Sequence, residues 1–209
     1  MIAIDPAVAS PADVYKLMIG SIVPRPIAFV SSLSRDGVRN LAPFSFFTAV
    51  SANPPVICFS PMIRASATGG AKKDTLNNIE STGEFVVNIV SEDFADRMNL
   101  CAGEYPPEVD EFAVSGLTAV PSEVVGPPRV GESRIQFECK LVQVVPVSAK
   151  PLGGSLVLGE VVRFHIADEL FDNFRIDPDK LGAIGRMGGP SYARTADRFD
   201  LQRPVVSGK

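Results

Sequence analysis

Residues 39–61 read RNLAPFSFFTAVSANPPVICFSP. The run has the phenylalanine, valine and isoleucine content of buried strand. Yet Asn40, Ser45, Thr48, Ser51, Asn53 and Ser60 punctuate it, and Pro43, Pro54, Pro55 and Pro61 interrupt it. Proline brings no N–H to a ladder, so within sheets it is confined to edges, strand starts and bulges. The pattern predicts strand ends held open, with Phe46, Phe47, Val56 and Ile57 packed inward and small polar groups turned towards something other than a neighbouring strand.

Upstream, residues 27–33 are apolar and β-branched and predict a strand. Asp36-Gly37 supplies the residues a tight hairpin turn needs, so the chain returns through the 39–61 stretch. Asn53-Pro54-Pro55 predicts a second turn, and residues 56–60 a third strand. Ser10-Pro11-Ala12-Asp13 combines a capping residue, a proline at the first helical position and a first-turn acid. It predicts a short helix to about Met18. Downstream, Asp74 or Thr75 caps a helix through Glu80 that Gly83 stops. Residues 85–90 predict a strand, and Ser91 caps a helix with Phe94, Met98 and Cys101 on one face.

Residues 103–131 hold five prolines and four glycines and predict a long irregular excursion with one short strand at most. Ile135, Phe137, Cys139 and Leu141 alternate with Gln136, Glu138 and Lys140, which predicts a half-buried strand with the polar set facing out. Residues 156–166 predict another. Six or more hairpin-linked strands with only short helices point to a mainly β chain, an antiparallel barrel or sandwich with peripheral helices. The 209 residues suit a single domain spanning 1–209, with residues from about 170 onward an arm on the body or on a partner subunit.

A net charge of −4 argues against general nucleic-acid binding. No run of about 18 apolar residues predicts a membrane span, and no basic segment followed by an apolar one predicts a signal peptide. Cys58, Cys101 and Cys139 lie far apart without metal-ligand spacing, and His165 is the single histidine. Buried free thiols and a cytoplasmic location are expected, with no metal.

The glycine-rich LGAIGRMGGPSYART (181–195) neither follows a strand nor opens a helix, so it is no dinucleotide fingerprint. His165 shares a strand face with Arg163, and no GxSxG elbow accompanies it, so a hydrolytic triad is not expected. Glu104, Glu108, Asp110 and Glu111 in EYPPEVDEF are expected to form a solvated acidic loop. The segment SPMIRASATGGAKKDTLNNI (60–79) differs: Ser60, Arg64, Ser66, Thr68, Lys72 and Lys73 precede a helix start, the makings of a phosphate site. A phosphate-bearing organic cofactor would account for that cluster and for the scarcity of catalytic side chains.

Taken in order, IVPRPIAFVSS, DGVRNLAPFSFF, NPPVICFS, KKDTLNNIESTGEFVVNIV and LGEVVRFHI resemble the flavin reductase-like, FMN-binding split-barrel family of the flavoredoxin type, from about residue 18 to about residue 195. The resemblance implies a homodimer of Greek-key split β-barrels with FMN near the subunit interface. It implies that Asn40, Leu41, Ala42, Pro43, Phe44 and Ser45 line the isoalloxazine and ribityl chain. Phe59, Ser60 and Arg64 correspond to the phosphate side, and Lys73, Asp74 and Thr75 to a helix start that meets phosphate. Gly188, Gly189 and Tyr192 correspond to a tail element reaching towards the flavin. The implied activity is an FMN-dependent oxidoreductase passing hydride or electrons from NAD(P)H through the flavin to an acceptor, with no catalytic side chain; the alternative is a non-enzymatic FMN-binding electron-transfer flavoprotein. One departure bears on the donor: where many NADH-using members carry a histidine before the late strand, this chain has Gly153-Gly154-Ser155.

Overall fold

The computed structural model describes residues 1–63 and 72–205. Its centre is one seven-stranded sheet, antiparallel at every pairing: β1 (Ala28–Leu33), β2 (Arg39–Phe44), β3 (Phe47–Ala52), β4 (Pro55–Phe59), β5 (Glu84–Ile89), β6 (Ile135–Pro146) and β7 (Ser155–Ile166). The spatial order is β2-β1-β5-β6-β7-β4-β3. The return run therefore differs from its sequence reading, being two strands that lie at opposite edges of the sheet.

That placement dictates the shape. Only Ser45 and Phe46 separate β2 from β3, so Phe44 and Phe47 are at most ~11 Å apart at about 3.8 Å per residue. Flat, the edge strands of seven would be ~29 Å apart at about 4.8 Å per spacing. The sheet must curl until its edges nearly meet, and the Ser45–Phe46 link crosses the gap. This is a split barrel, and the prolines and polar residues of the opening stretch stand at the split.

Edge strand β2 shows how sequence handles its free side. Leu41 and Pro43 face Ser31 and Phe29 in β1. Leu41 turns its N–H away from that strand, to the Glu111 carboxylate at 3.0 Å. Pro43 has the same parity, so its missing N–H costs the ladder nothing.

Besides α1 (Pro11–Ser21), the chain forms α2 (Asp74–Thr82), whose Leu76 and Ile79 pack with Ala28, Val30, Phe44, Ile57, Phe59, Phe85, Val87, Cys139, Val157 and Val161 in the barrel interior. The Phe59 ring of β4 lies 5.1 Å from that of Phe44 on edge strand β2 and 5.6 Å from that of Phe85 on β5, which packs β4 across the barrel against both. A Cβ on Gly159 would stand 2.2 Å from the Phe85 ring, so this strand position must be glycine. A second core outside the barrel joins Phe29 and Leu41 to Phe94, Met98 and Cys101 around α3 (Ala95–Leu100), and to Phe112 of α4 (Glu111–Ser115) and Ile184. Both faces of β1 are thus buried. The three cysteines are free and buried.

Helix α1 runs three residues beyond its expected end; Ser10 caps it as predicted, accepting from the Asp13 N–H. Ser91 precedes a short 3-10 turn, Glu92–Phe94, before α3. The 103–131 excursion holds α4 and a pair of two-residue strands, Ala119–Val120 with Arg129–Val130. It also overturns the half-buried reading of β6. Glu138 is fully buried and Gln136 nearly so, because residues 121–133 fold over the outer face. The amides of Glu123, Val124 and Val125 donate to the Glu138 carboxylate at 2.8, 2.7 and 3.1 Å, and His165 Nε2 lies 2.6 Å away.

The glycine-rich tail forms a small hairpin, Ile184–Arg186 with Tyr192–Arg194, turning at Gly188–Pro190. It bridges to the body at Arg25–Arg186 and Ser91–Ala183. No helix among the described residues is long and apolar enough to cross a membrane.

Candidate functional site

At the barrel's split a cavity of about 190 Å³ opens between the end of β2, the 45–46 link, the end of β4, the start of α2 and the loop after α3. Its wall includes Asn40, Ala42, Pro43, Phe44, Ser45, Phe46, Ser60, Met62, Lys73, Asp74, Thr75, Ala102, Tyr105 and Glu111, with Tyr15 at its rim. Two further cavities continue it. One of about 470 Å³ shares Tyr15, Phe46, Ser60 and Met62, and one of about 240 Å³ shares Tyr15, Pro43, Ser45 and Ala102.

Most positions singled out from the sequence meet here, with differences of role. Leu41 and Phe59 are wholly buried in the two cores, so their side chains pack there and neither lines the cavity. The capping residue of α2 is Lys73, with no side-chain cap, rather than Asp74 or Thr75. Thr75 is buried, and its hydroxyl donates to Asn40 Oδ1 at 2.7 Å. Lys72 is drawn off to Glu80, with Nζ–Oε distances of 2.8 and 2.6 Å. The Lys73 side chain makes no hydrogen bond or ion pair among the described residues, and Lys73 lines the cavity. Arg64 lies outside the described residues. Gly188, Gly189 and Tyr192 are not on this cavity, although Tyr192 lines the smaller continuation.

Three contributors escaped the sequence reading. Glu111 is not on a solvated loop but buried at the head of α4, where Asp110 caps the helix and pairs with Arg39. Glu111 Oε1 accepts from Asn40 Nδ2 at 2.9 Å and Oε2 from the Leu41 N–H. Burial pushes its carboxyl above the ordinary range; the Leu41 N–H opposes this, and the Asp74 and Asp110 charges add to it. Asn40 Oδ1 also accepts from Ser32, whose hydroxyl accepts from Asn78, so a buried polar chain braces the wall from behind.

Arg25, of the PRP motif, is the second. It is 4% exposed and has no carboxylate partner among the described residues. Its guanidinium donates to the carbonyls of Ile19 and Ile22 at the end of α1 (2.6 and 2.8 Å), to the Met187 carbonyl (3.0 Å) and to Ser45 Oγ (3.3 Å). Carbonyls at a helix C-terminus suit a cation, and the same fork fixes α1, the tail and the 45–46 link to one another. Tyr15 is the third; no sequence signal marks it.

Gly154 backs the cavity from β7's side: a Cβ there would meet Ser60 Oγ at 3.0 Å and the Pro61 carbonyl at 3.3 Å. On Gly153 it would meet the Ser148 carbonyl at 2.5 Å. Among the described residues no group of three His, Cys, Asp or Glu side chains could hold a metal.

The chain matches the flavin reductase like domain over residues 19–181. The nitrilotriacetate monooxygenase component B of Bacillus cereus is 40% identical, covers 96% of this chain and 98% of its own, and superposes with a TM-score of 0.91. The 2-nitrobenzoate 2-nitroreductase of Pseudomonas fluorescens is 34% identical, with 100% and 99% covered and a TM-score of 0.86. Flavoredoxin of Desulfovibrio vulgaris, at 22% identity over 90% of this chain and 94% of its own with a TM-score of 0.70, shares the fold. With the curled sheet, the split and the family match over most of its length, the chain belongs to the flavin reductase-like split-barrel family.

Proposed function

We propose that the chain is an FMN-dependent oxidoreductase of the flavin reductase type, passing hydride or electrons from NAD(P)H through bound flavin to an acceptor. One observation carries the reading: the uncapped start of α2 and the unpaired Lys73 converge with Ser60 and the backbone of Ala42–Ser45 on one cavity. Helix-start amides, an ammonium and a hydroxyl suit a phosphate, and strand-end backbone suits the polar edge of a planar ring. Asp74 and Glu111 border the same cavity, so the phosphate belongs at the Lys73–Ser60 side.

Bound there, FMN would supply the two-electron chemistry that no side chain in the cavity can. The protein's part is to hold it. Lys73 with the first turn of α2 neutralises the phosphate, the role that the family resemblance also gives to Arg64, which lies outside the described residues. Asn40 and Thr75, locked to each other and to Glu111, position the wall, while Ala42, Pro43, Phe44 and Ser45 face the ring system. Leu41 and Phe59 act by packing, and Gly188, Gly189 and Tyr192 belong to a tail element that reaches towards the flavin of the partner subunit. The reading includes a homodimer, a cytoplasmic location, and a single domain whose arm from about residue 170 covers the groove or the partner's. The nitroreductase and monooxygenase component among the similar structures support an oxidoreductase.

A second reading, an electron-transfer flavoprotein without nicotinamide access, draws on Gly153 and Gly154. A Cβ on Gly153 would stand 2.5 and 2.7 Å from backbone carbonyls, which leaves no room for a histidine there, and one on Gly154 would press on Ser60 Oγ at 3.0 Å. Anaerobic mixing of the flavin-loaded protein with NADH and with NADPH separates the two. Bleaching of the visible flavin absorbance by either is expected. No bleaching by both, with bleaching by a reduced protein donor, would establish the carrier instead.

A further inference from the structure

Arg25 sits where its hydrogen bonds are met but its charge is not. Of its five N–H groups, three go to the carbonyls of Ile19, Ile22 and Met187, and Nε–H goes to Ser45 Oγ at 3.3 Å. Every one of these acceptors is neutral, and the residue is 4% exposed. A buried cation met only by dipoles leaves its surroundings short of an anion. Burial accordingly pushes the guanidinium pKa down; Tyr15 opposes this and the Arg186 charge adds to it, though an arginine stays protonated throughout.

Ser45 connects that charge to the candidate site. Its Oγ accepts from Arg25, and its own proton goes to no acceptor among the described residues. Ser45 lines both the 190 Å³ cavity and the 240 Å³ continuation, so a hydroxyl backed by a cation stands at their shared wall. The charges around it are uneven. Asp74 and Glu111 line the first cavity together with Lys73, whereas no carboxylate lines the continuation, whose charged group is Arg186. Negative charge arriving at the Ser45 side therefore meets cations without a competing carboxylate.

We propose that Arg25, acting through the Ser45 hydroxyl, is a positioning residue that raises the reduction potential of the bound flavin. The inference rests on the reading that flavin occupies the split with its ring against Ala42–Ser45. A hydride carries two electrons and one proton, so a ring that accepts one from a reduced nicotinamide gains one negative charge, and the nicotinamide leaves as a cation. A fixed donor backed by a buried cation favours that charged form over the neutral oxidised one. Arg25 itself does not line the cavity, so its effect on the ring passes through Ser45.

The test is the two-electron midpoint potential of the FMN-loaded protein, read from flavin absorbance against a reference dye during anaerobic reductive titration. That potential reports the ratio of affinities for reduced and oxidised flavin, about 30 mV for each tenfold. Ser45→Ala should lower it by about 30 mV, the tenfold effect of one charge-assisted donor. Arg25→Gln should lower it at least as far, and Arg25→Lys, which keeps the cation, should retain most of it. In the Arg25→Gln background Ser45→Ala should add little, because the two act as one unit. A clamp that merely holds α1 and the tail would weaken both oxidation states alike and leave the potential unmoved. An unmoved potential in Ser45→Ala or in Arg25→Gln would overturn the proposal, as would additive shifts in the double variant. Should Arg25→Gln fail to fold, the other two single variants decide: a drop in Ser45→Ala with retention in Arg25→Lys supports the proposal, and any other pair of results overturns it. If the wild-type chain takes up no FMN, the functional reading fails and this inference with it. That outcome is distinct from an unmoved potential, since no bound flavin is then present to titrate.

Discussion

Glu138 and Glu111 are both buried carboxylates on residues that look solvated in the sequence, and the protein treats them in opposite ways. Glu138, under the 121–133 loop, receives three backbone amides and His165. Burial alone would raise its pKa, but the Glu123 and Val124 amides and His165 outweigh that and hold it below the ordinary carboxylate range. Glu111, at the cavity wall, receives one amide N–H and one side-chain amide, with Asp74 and Asp110 nearby, and its pKa is raised. Donor supply separates them. A carboxylate surrounded by amides is a fixed anion that pins a loop to a sheet. One with fewer donors, facing a cavity, has its pKa raised by burial instead.

The sharpest break of that comparison is Glu138→Gln. It removes the anion and presents an NH₂ to groups that all donate, leaving buried amides without acceptors. Stability should fall by about 3 kcal/mol in urea denaturation. A loss no greater than that of Glu111→Gln would show the loop clamp to be incidental. Glu111→Gln keeps one acceptor oxygen and should lose about 1 kcal/mol. Its larger consequence should be local, a changed environment for the Asn40–Thr75 pair and a weaker hold on ligand.

The pH dependence separates the two most finely. Glu138 has a lowered folded pKa, so its contribution is present above the unfolded value of about 4.3 and is lost as pH falls through the folded one. Glu111 has a raised folded pKa, so its contribution is greatest below about 4.3 and declines as pH rises through the folded value. Urea midpoints across pH should lose the acid-side slope in Glu138→Gln and the slope just above the ordinary carboxylate range in Glu111→Gln. Both variants flattening the same window would contradict the assignment.

Much of this architecture is readable from the chain, for definite reasons. Apolar periodicity marks the strands, Gly37 and Gly83 mark turn and helix end with φ of 82° and 74°, and Phe94, Met98 and Cys101 fall on one buried face. The cut at Ser45–Phe46 is not readable, since FSFF looks like unbroken strand and only the pairing partners place its halves at opposite edges. Glu138 deceives because alternation reports one sheet's pleat and not a loop arriving from 15 residues upstream. Glu111 deceives because its neighbours Glu104, Glu108 and Asp110 give the segment a solvated composition, while the edge N–H of Leu41 that recruits it lies 70 residues away. Asn40, Ala42–Ser45 and Lys73–Thr75, from the NLAPFS and KDT segments, line one cavity, but the inward turn of Thr75 depends on a partner, Asn40, that no local pattern names.

The central claim is that the split of this barrel is an FMN site with its anion end at Lys73. Titration of FMN with the purified protein, followed by flavin fluorescence, tests it most directly. Saturable quenching is predicted for the wild-type chain, with affinity lowered roughly tenfold or more in Lys73→Ala, the effect of losing one charge-assisted contact. An absence of quenching, or equal affinity in Lys73→Ala, would contradict it.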